Sequence, residues 1–277
     1  MKDINSYVNQ IRETGEWIRS HTQLRPKVAI VLGTGLGRLA EEIDVVDAFP
    51  YADIPNFPVS TVEGHSGRLL FGYLGAKPVM ALEGRFHYYE GYDMQQVTFP
   101  QRVMHEIGIN TFFVSNASGG MNPSFRIGDI MVITDHINFM PEHPLHGPNF
   151  PTGPRFPDMH EPYDKKLIEM ARRIAAEKNI RIVEGVYVAT QGPTFETPAE
   201  YRMFWRLGGD AVGMSTVPEV IVARHQGMRV FGISVITDLG VEGTVCEVSH
   251  EEVQKAANTA QPLMAEIFRE MIEKVED

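Results

Sequence analysis

The residues best able to do chemistry are polar and sit where apolar runs end. Val28–Leu32 leads into Gly33-Thr34-Gly35-Leu36-Gly37, a loop with one hydroxyl and many unhindered backbone N–H groups. Such a loop can point N–H groups at a small anion without interference from Cβ atoms. A later apolar run ends in Glu83-Gly84-Arg85-Phe86-His87, and another in Ser115-Asn116-Ala117-Ser118-Gly119-Gly120. Further clusters are Gln191 to Glu196, Met214-Ser215-Thr216 and Thr237-Asp238. Arg85 brings a fixed positive charge with several donors, the group suited to phosphate or carboxylate. Glu196 and Asp238 can read the polar edge of a ligand, and Tyr89, Tyr187, Phe195 and Met214 offer surfaces for a flat ring, although residues of these types more often pack in a core. The residues alone imply a site for a phosphate or carboxylate plus a polar heterocycle, provided these ends converge.

For them to converge, the apolar runs must be strands of one sheet, because ligands in α/β sheets bind at the carboxyl ends of strands. Helical spacing of Ile4, Val8, Ile11 and Ile18 predicts an amphipathic helix over 3–20. Leu69–Leu74 and Pro78–Leu82 read as a hairpin around Gly75, and 45–60 as a proline-rich loop. A helix is predicted over Met94–Ile107, capped by Gly108. Thr111–Val114, Asp129–Thr134, Ile180–Thr190, Ala211–Met214 and Met228–Ile236 read as strands. Helices are predicted over Asp164–Lys178, from a Thr197/Glu200 capping box to about Leu207, over Val217–His225, and after Ser249, the last kinked or split by Pro262. Strands alternating with helices, with no visible linker, predict one α/β domain over 1–277: a mixed sheet flanked by helices. Residues 139–161 hold six prolines and no periodicity, a length of loop that usually has a function or packs on a partner.

Bulk properties narrow the class. Over 277 residues the formal charge is −11, which argues against nonspecific nucleic-acid binding. The single cysteine, Cys246, cannot form an internal disulfide and fits a reducing compartment. The amino-terminal segment carries acids and lacks the apolar core of a signal peptide, and no apolar run reaches the ~20 residues of a membrane helix. A cytoplasmic protein is expected.

Taken together, GTGLG, STVEGHSGRL, EGRFHYYEGY, SNASGGMNP, GPTFET, VGMSTVPEVIVARH and the final SxxIT strand resemble the trimeric purine nucleoside phosphorylases, in the family's order and over nearly the whole chain. The resemblance implies a nucleoside phosphorylase-like fold, a homotrimer, and reversible phosphorolysis of purine nucleosides to free base and ribose 1-phosphate. No metal or organic cofactor is implied, phosphate being a co-substrate. By motif position, Thr34, His65, Arg85, His87, Asn116, Ala117 and Ser215 look like the phosphate site, with Thr34 where the family often has serine. Tyr89, Tyr187, Met214 and His250 look like nucleoside contacts, and Phe195, Glu196, Thr237 and Asp238 like the base site. His87, Glu196 and Asp238 are the candidate catalytic groups. Phe156, in the proline-rich loop, resembles an aromatic that a neighbouring subunit lends to the ribose pocket.

One residue departs from the pattern. Position 238 is usually asparagine in the members that prefer 6-oxopurines, and here it is Asp238. A carboxyl donates to purine N7 or O6 only when protonated, and suits a 6-amino group better. Inosine and guanosine are the expected substrates, with adenosine added by Asp238. A methylthioadenosine phosphorylase is the alternative within the fold. A dinucleotide-dependent oxidoreductase is excluded by Arg38, where its fingerprint needs glycine or alanine. A noncatalytic purine- or phosphate-binding protein would keep the pocket without turnover.

Overall fold

Five consecutive buried apolar residues, Val28–Leu32, form β1 at the middle of the sheet. Both faces of this strand are covered, which is why the run does not alternate with polar residues. In the computed structural model, which describes residues 3–33, 37–60, 66–243, 245, 247 and 249–276, nine strands share one mixed sheet. The others are β2 (Asp44–Pro50), β3 (Arg68–Leu74), β4 (Lys77–Glu83), β5 (Thr111–Gly120), β6 (Ile130–Asn138), β7 (Ile182–Ala189), β8 (Ala211–Gly213) and β9 (Arg229–Leu239). Their order is β2-β3-β4-β1-β5-β8-β7-β6-β9, and β9 pairs back onto β5. Five strands thus close on themselves, and the other four extend as an open wing. Neighbours of β1 run parallel to it, whereas β2–β3, β3–β4, β5–β8 and β6–β9 are antiparallel.

Helices cover the sheet: α1 (Ile4–His21), α2 (Gly37–Glu41), α3 (Met94–Val97), α4 (Phe99–Glu106), α5 (Lys165–Glu177), α6 (Pro198–Arg206), α7 (Val217–His225) and α8 (His250–Lys274). Phe268 on α8 packs edge to face on Phe113 of β5 and Phe231 of β9, which are tilted against each other, with centroids 5.4–5.9 Å apart, and this ties the last helix to the two longest strands.

Four sequence expectations need correcting. Part of 45–60 is not loop: β2 is an edge strand, whose exposed Val45 and Val46 and register shift between Val45 and Asp47 hide the alternation. The helix expected over 94–107 is two, α3 and α4, because Pro100 has no N–H to continue the ladder and Thr98 leaves the helical region. Pro262, expected to kink or split the final helix, sits inside one continuous α8, whose buried face packs on the sheet. Finally, β5 and β9 run well beyond the expected Val114 and Ile236, so the polar clusters at 115–120 and 237–238 are strand, not loop.

Candidate active site

Each site side chain is placed by the end of a strand or the start of a helix. After β4, Gly84 turns the chain with φ +109°, a conformation that favours glycine, and delivers Arg85. This arginine is 3% exposed. Its Nη1 donates to the Ser115 carbonyl at 2.7 Å, and Nε lies 3.2 Å from Glu219 Oε2. Its Nη2 is buried and has no hydrogen-bond partner among the described residues. A buried guanidinium donor left unsatisfied is costly, and an anion in the cleft beside it removes that cost. Any side chain at Gly33 would collide with the Ser115 carbonyl and Arg85, so glycine there is a packing requirement.

Glu219, on α7, is a residue the sequence reading passed over. It is 3% exposed and also accepts from Gln101 Nε2 at 3.1 Å and from the Thr216 N–H at 3.1 Å. The Thr216–Glu219 spacing is that of a capping box, a signal visible in the sequence. Thr216 itself is buried with φ +74°, a costly conformation for a β-branched residue. It accepts from Asn116 Nδ2 at 2.8 Å, and its hydroxyl lies 3.0 Å from Ser215 Oγ. The strained turn therefore locks Ser215 beside β5.

His87 opens a short 3₁₀ turn (Tyr88–Glu90) and stacks on Tyr89 with centroids 4.7 Å apart. Its Nδ1 is 2.9 Å from Glu90 Oε1. Burial holds its pKa below the usual imidazole range, against the Glu90 bond. A neutral ring with its proton on Nδ1 accepts, rather than donates, at Nε2.

The far end of the cleft is built by a β-bulge. Along the parallel β5–β9 ladder Ser118 pairs with Ile236 and Gly119 with Asp238, which leaves Thr237 as an extra residue on β9. Adjacent strand residues normally face opposite sides. The bulge re-aims the strand, and both Thr237 and Asp238 line the same cleft. Tyr201, on α6, donates to Asp238 Oδ2 at 2.9 Å. Glu196, just before α6, accepts from Thr190 Oγ1 at 3.1 Å. Burial raises the Glu196 pKa to about 6, helped by the charge of Asp238. Burial likewise pushes the Asp238 carboxyl up, opposed by the hydroxyls of Tyr201 and Thr237.

One cleft brings together Arg85, His87, Tyr89, Ala117, Phe195, Glu196, Met214, Ser215, Thr237, Asp238 and His250. Asn116 and Tyr187 are buried behind it. Tyr187 packs against Gly213 and does not line the cleft, so it supports the site instead of offering a ring to a ligand. Phe156 is 88% exposed and is not among the residues lining the cleft of its own chain. Thr34, His65 and Cys246 lie outside the described residues. Besides Glu219, the sequence reading missed Tyr201: nothing in the spacing of α6 told that its hydroxyl would meet β9.

A buried cation with a donor unpartnered among the described residues, two carboxyls of raised pKa and aromatic side chains lining one cleft suit a ligand with an anionic part and a flat polar ring. The Phosphorylase superfamily profile matches residues 27–273. Purine nucleoside phosphorylase 1 of Geobacillus stearothermophilus is 50% identical over 260 residues, 94% of either chain. The chain belongs to the purine nucleoside phosphorylase family. Solved structures agree. A Schistosoma purine nucleoside phosphorylase in complex with hypoxanthine superposes with a TM-score of 0.91, at 39% identity and 98% coverage of both chains. A Schistosoma mansoni purine nucleoside phosphorylase in complex with adenosine gives 0.92, with the same identity and coverage.

Proposed function

We propose that the chain catalyses reversible phosphorolysis of purine nucleosides, chiefly inosine and guanosine, with adenosine as a further substrate. The observation that carries this reading is the buried, unsatisfied Nη2 of Arg85 in the same cleft as Glu196 and Asp238. Phosphate at Arg85, Ser215 and the backbone at Ala117 is held close to the anomeric carbon. The C1′–N9 bond breaks as the C1′–phosphate bond forms, through a ribosyl-cation-like transition state that the phosphate charge stabilises. The electron pair leaves with the purine. Glu196 accepts from N1–H of a 6-oxopurine, and Asp238, when protonated, delivers a proton to N7 and draws it again from solvent. No protein nucleophile is required; the gain is positioning and electrostatics.

Adenosine enters because a protonated Asp238 can donate to N7 while its second oxygen accepts from the 6-amino group. Support comes from relatives bound separately to hypoxanthine and to adenosine. The relatives carry the purine nucleoside name, and the methylthioadenosine alternative is not favoured. The reading takes phosphate as co-substrate with no organic cofactor, and places the enzyme as a homotrimer in cytoplasmic purine salvage. Among the described residues no helix is long and apolar enough to cross a membrane.

The test is release of free base from inosine, guanosine and adenosine with and without phosphate. Phosphate-dependent release with formation of ribose 1-phosphate is expected. Release that ignores phosphate would make the protein a hydrolase, and no release would make it a binding protein.

A further inference from the structure

The Asp238 carboxyl is held by hydroxyls of unequal commitment. Thr237 Oγ1 lies 3.0 Å from Asp238 Oδ1 and 3.2 Å from the Ser118 carbonyl oxygen. A hydroxyl has one proton, and the carbonyl can only accept, so Thr237 cannot serve both fully. Tyr201 reaches the other oxygen, Oδ2, at 2.9 Å. The space around this pair is cleared by glycines. A Cβ at Gly119 would stand 2.9 Å from Asp238 Oδ2 and 3.0 Å from the Tyr201 hydroxyl, and one at Gly240 would run into the Tyr201 ring. The ring is 3% exposed and Asp238 7%, so water competes poorly for the contact.

We propose that Tyr201 is a positioning residue for the base site, which holds the Asp238 carboxyl in place and sets the pH at which it can hand a proton to the purine. The proposal rests on the phosphorolysis reading above and deepens it. A phenol donating to a carboxylate stabilises the anion and lowers the pH at which the acid forms. Tyr201, in the wall of the same cleft, thereby limits through its bond to Oδ2 how much of Asp238 is a donor at a given pH. The other ionisable groups lining this cleft are unchanged by removal of the phenol: Glu196 from the segment before α6, His250 from α8, and Arg85 and His87 from the segment after β4. Ser118 and Gly119 of β5 are neutral.

The test is the pH profile of kcat/KM for inosine in the wild type, Tyr201→Phe, Asp238→Asn and the double variant. Phenylalanine keeps the ring that fills the space by Gly240 and removes only the hydroxyl. The alkaline limb is the one Asp238→Asn abolishes. In Tyr201→Phe it should move up by about one pH unit, the shift expected for losing a hydrogen bond to a charged group. Above the wild-type limb the variant should therefore be faster, by up to about tenfold, an outcome that loosened packing does not produce. In the Asp238→Asn background the same substitution should change nothing further.

An unmoved limb, the absence of any limb removed by Asp238→Asn, or an equal loss in both backgrounds overturns the proposal. A wild type with no phosphate-dependent release of base overturns the underlying reading as well, so the two failures are told apart.

Discussion

Glu196 and Asp238 line the same cleft, and in the proposed reaction their protonation answers different parts of the purine. Glu196 titrates at about 6 because burial disfavours its charge. Its anion is the form that accepts from N1–H of inosine, so inosine kcat/KM should fall about tenfold per pH unit below that limb. Adenosine has no N1–H, and its N1 needs a donor, which only the protonated acid supplies. The adenosine-to-inosine ratio should therefore climb as pH drops through 6. Glu196→Gln keeps both an acceptor and a donor without a charge, and should erase the limb. Parallel pH profiles for the two substrates, or a limb that survives Glu196→Gln, would contradict this role. At this scale the side-chain types were legible in the sequence: Arg85, His87, Glu196 and Asp238 fall into one cleft. Their partners were less so. Tyr201 and Glu219 act through contacts 37 and 134 positions away, to Asp238 and Arg85, and no local spacing encodes such a contact.

At the scale of elements, the base end of the site depends on β5 and β9 running parallel to their carboxyl ends with one bulge. Apolar runs at Thr111–Val114 and Met228–Ile236 marked where these strands begin, because their side chains are core. Their continuations through Ser115–Gly120 and Thr237–Leu239 read as loop, since polar and glycine residues there serve the cleft instead of the core. The capping box of Thr197 and Glu200 was legible because it is local, and the closure of β9 onto β5 was not, because pairing across 118 positions leaves no periodic trace. Gly119 shows what the bulge requires. With a Cβ only 2.9 Å from Asp238 Oδ2, Gly119→Ala must push the carboxyl or the Tyr201 ring aside. Nucleoside kcat/KM should drop more than about tenfold, the order of effect of a misplaced catalytic group. KM for phosphate should hold within about twofold, since the atoms nearest a Cβ at position 119 belong to Asp238 and Tyr201, not to Arg85 or Ser215. Steady-state kinetics with each substrate varied in turn reads both numbers, and equal damage to both would mean a general disturbance of β5.

For the whole molecule the telling feature is Phe156, 88% exposed within the proline-rich segment between β6 and α5. A large apolar side chain exposed on its own proves little. This one belongs to a proline-rich segment without regular secondary structure. In the proposed trimer each Phe156 covers a neighbour's cleft. Burying such a ring against a ligand is worth about 1.5–3 kcal/mol, so Phe156→Ala should lower nucleoside kcat/KM by roughly 10- to 100-fold with little change in phosphate affinity. Loss of activity alone would not say whose cleft the ring serves. Co-expression with Asp238→Ala does. An Asp238→Ala subunit has a damaged cleft and an intact Phe156, and a Phe156→Ala subunit the reverse. Where the first lends its ring to the second, a complete site forms between two defective chains, and the mixed assembly regains activity that neither variant shows alone. A ring that served its own chain would give only the average of the two variants, and the lending of Phe156 would then be rejected.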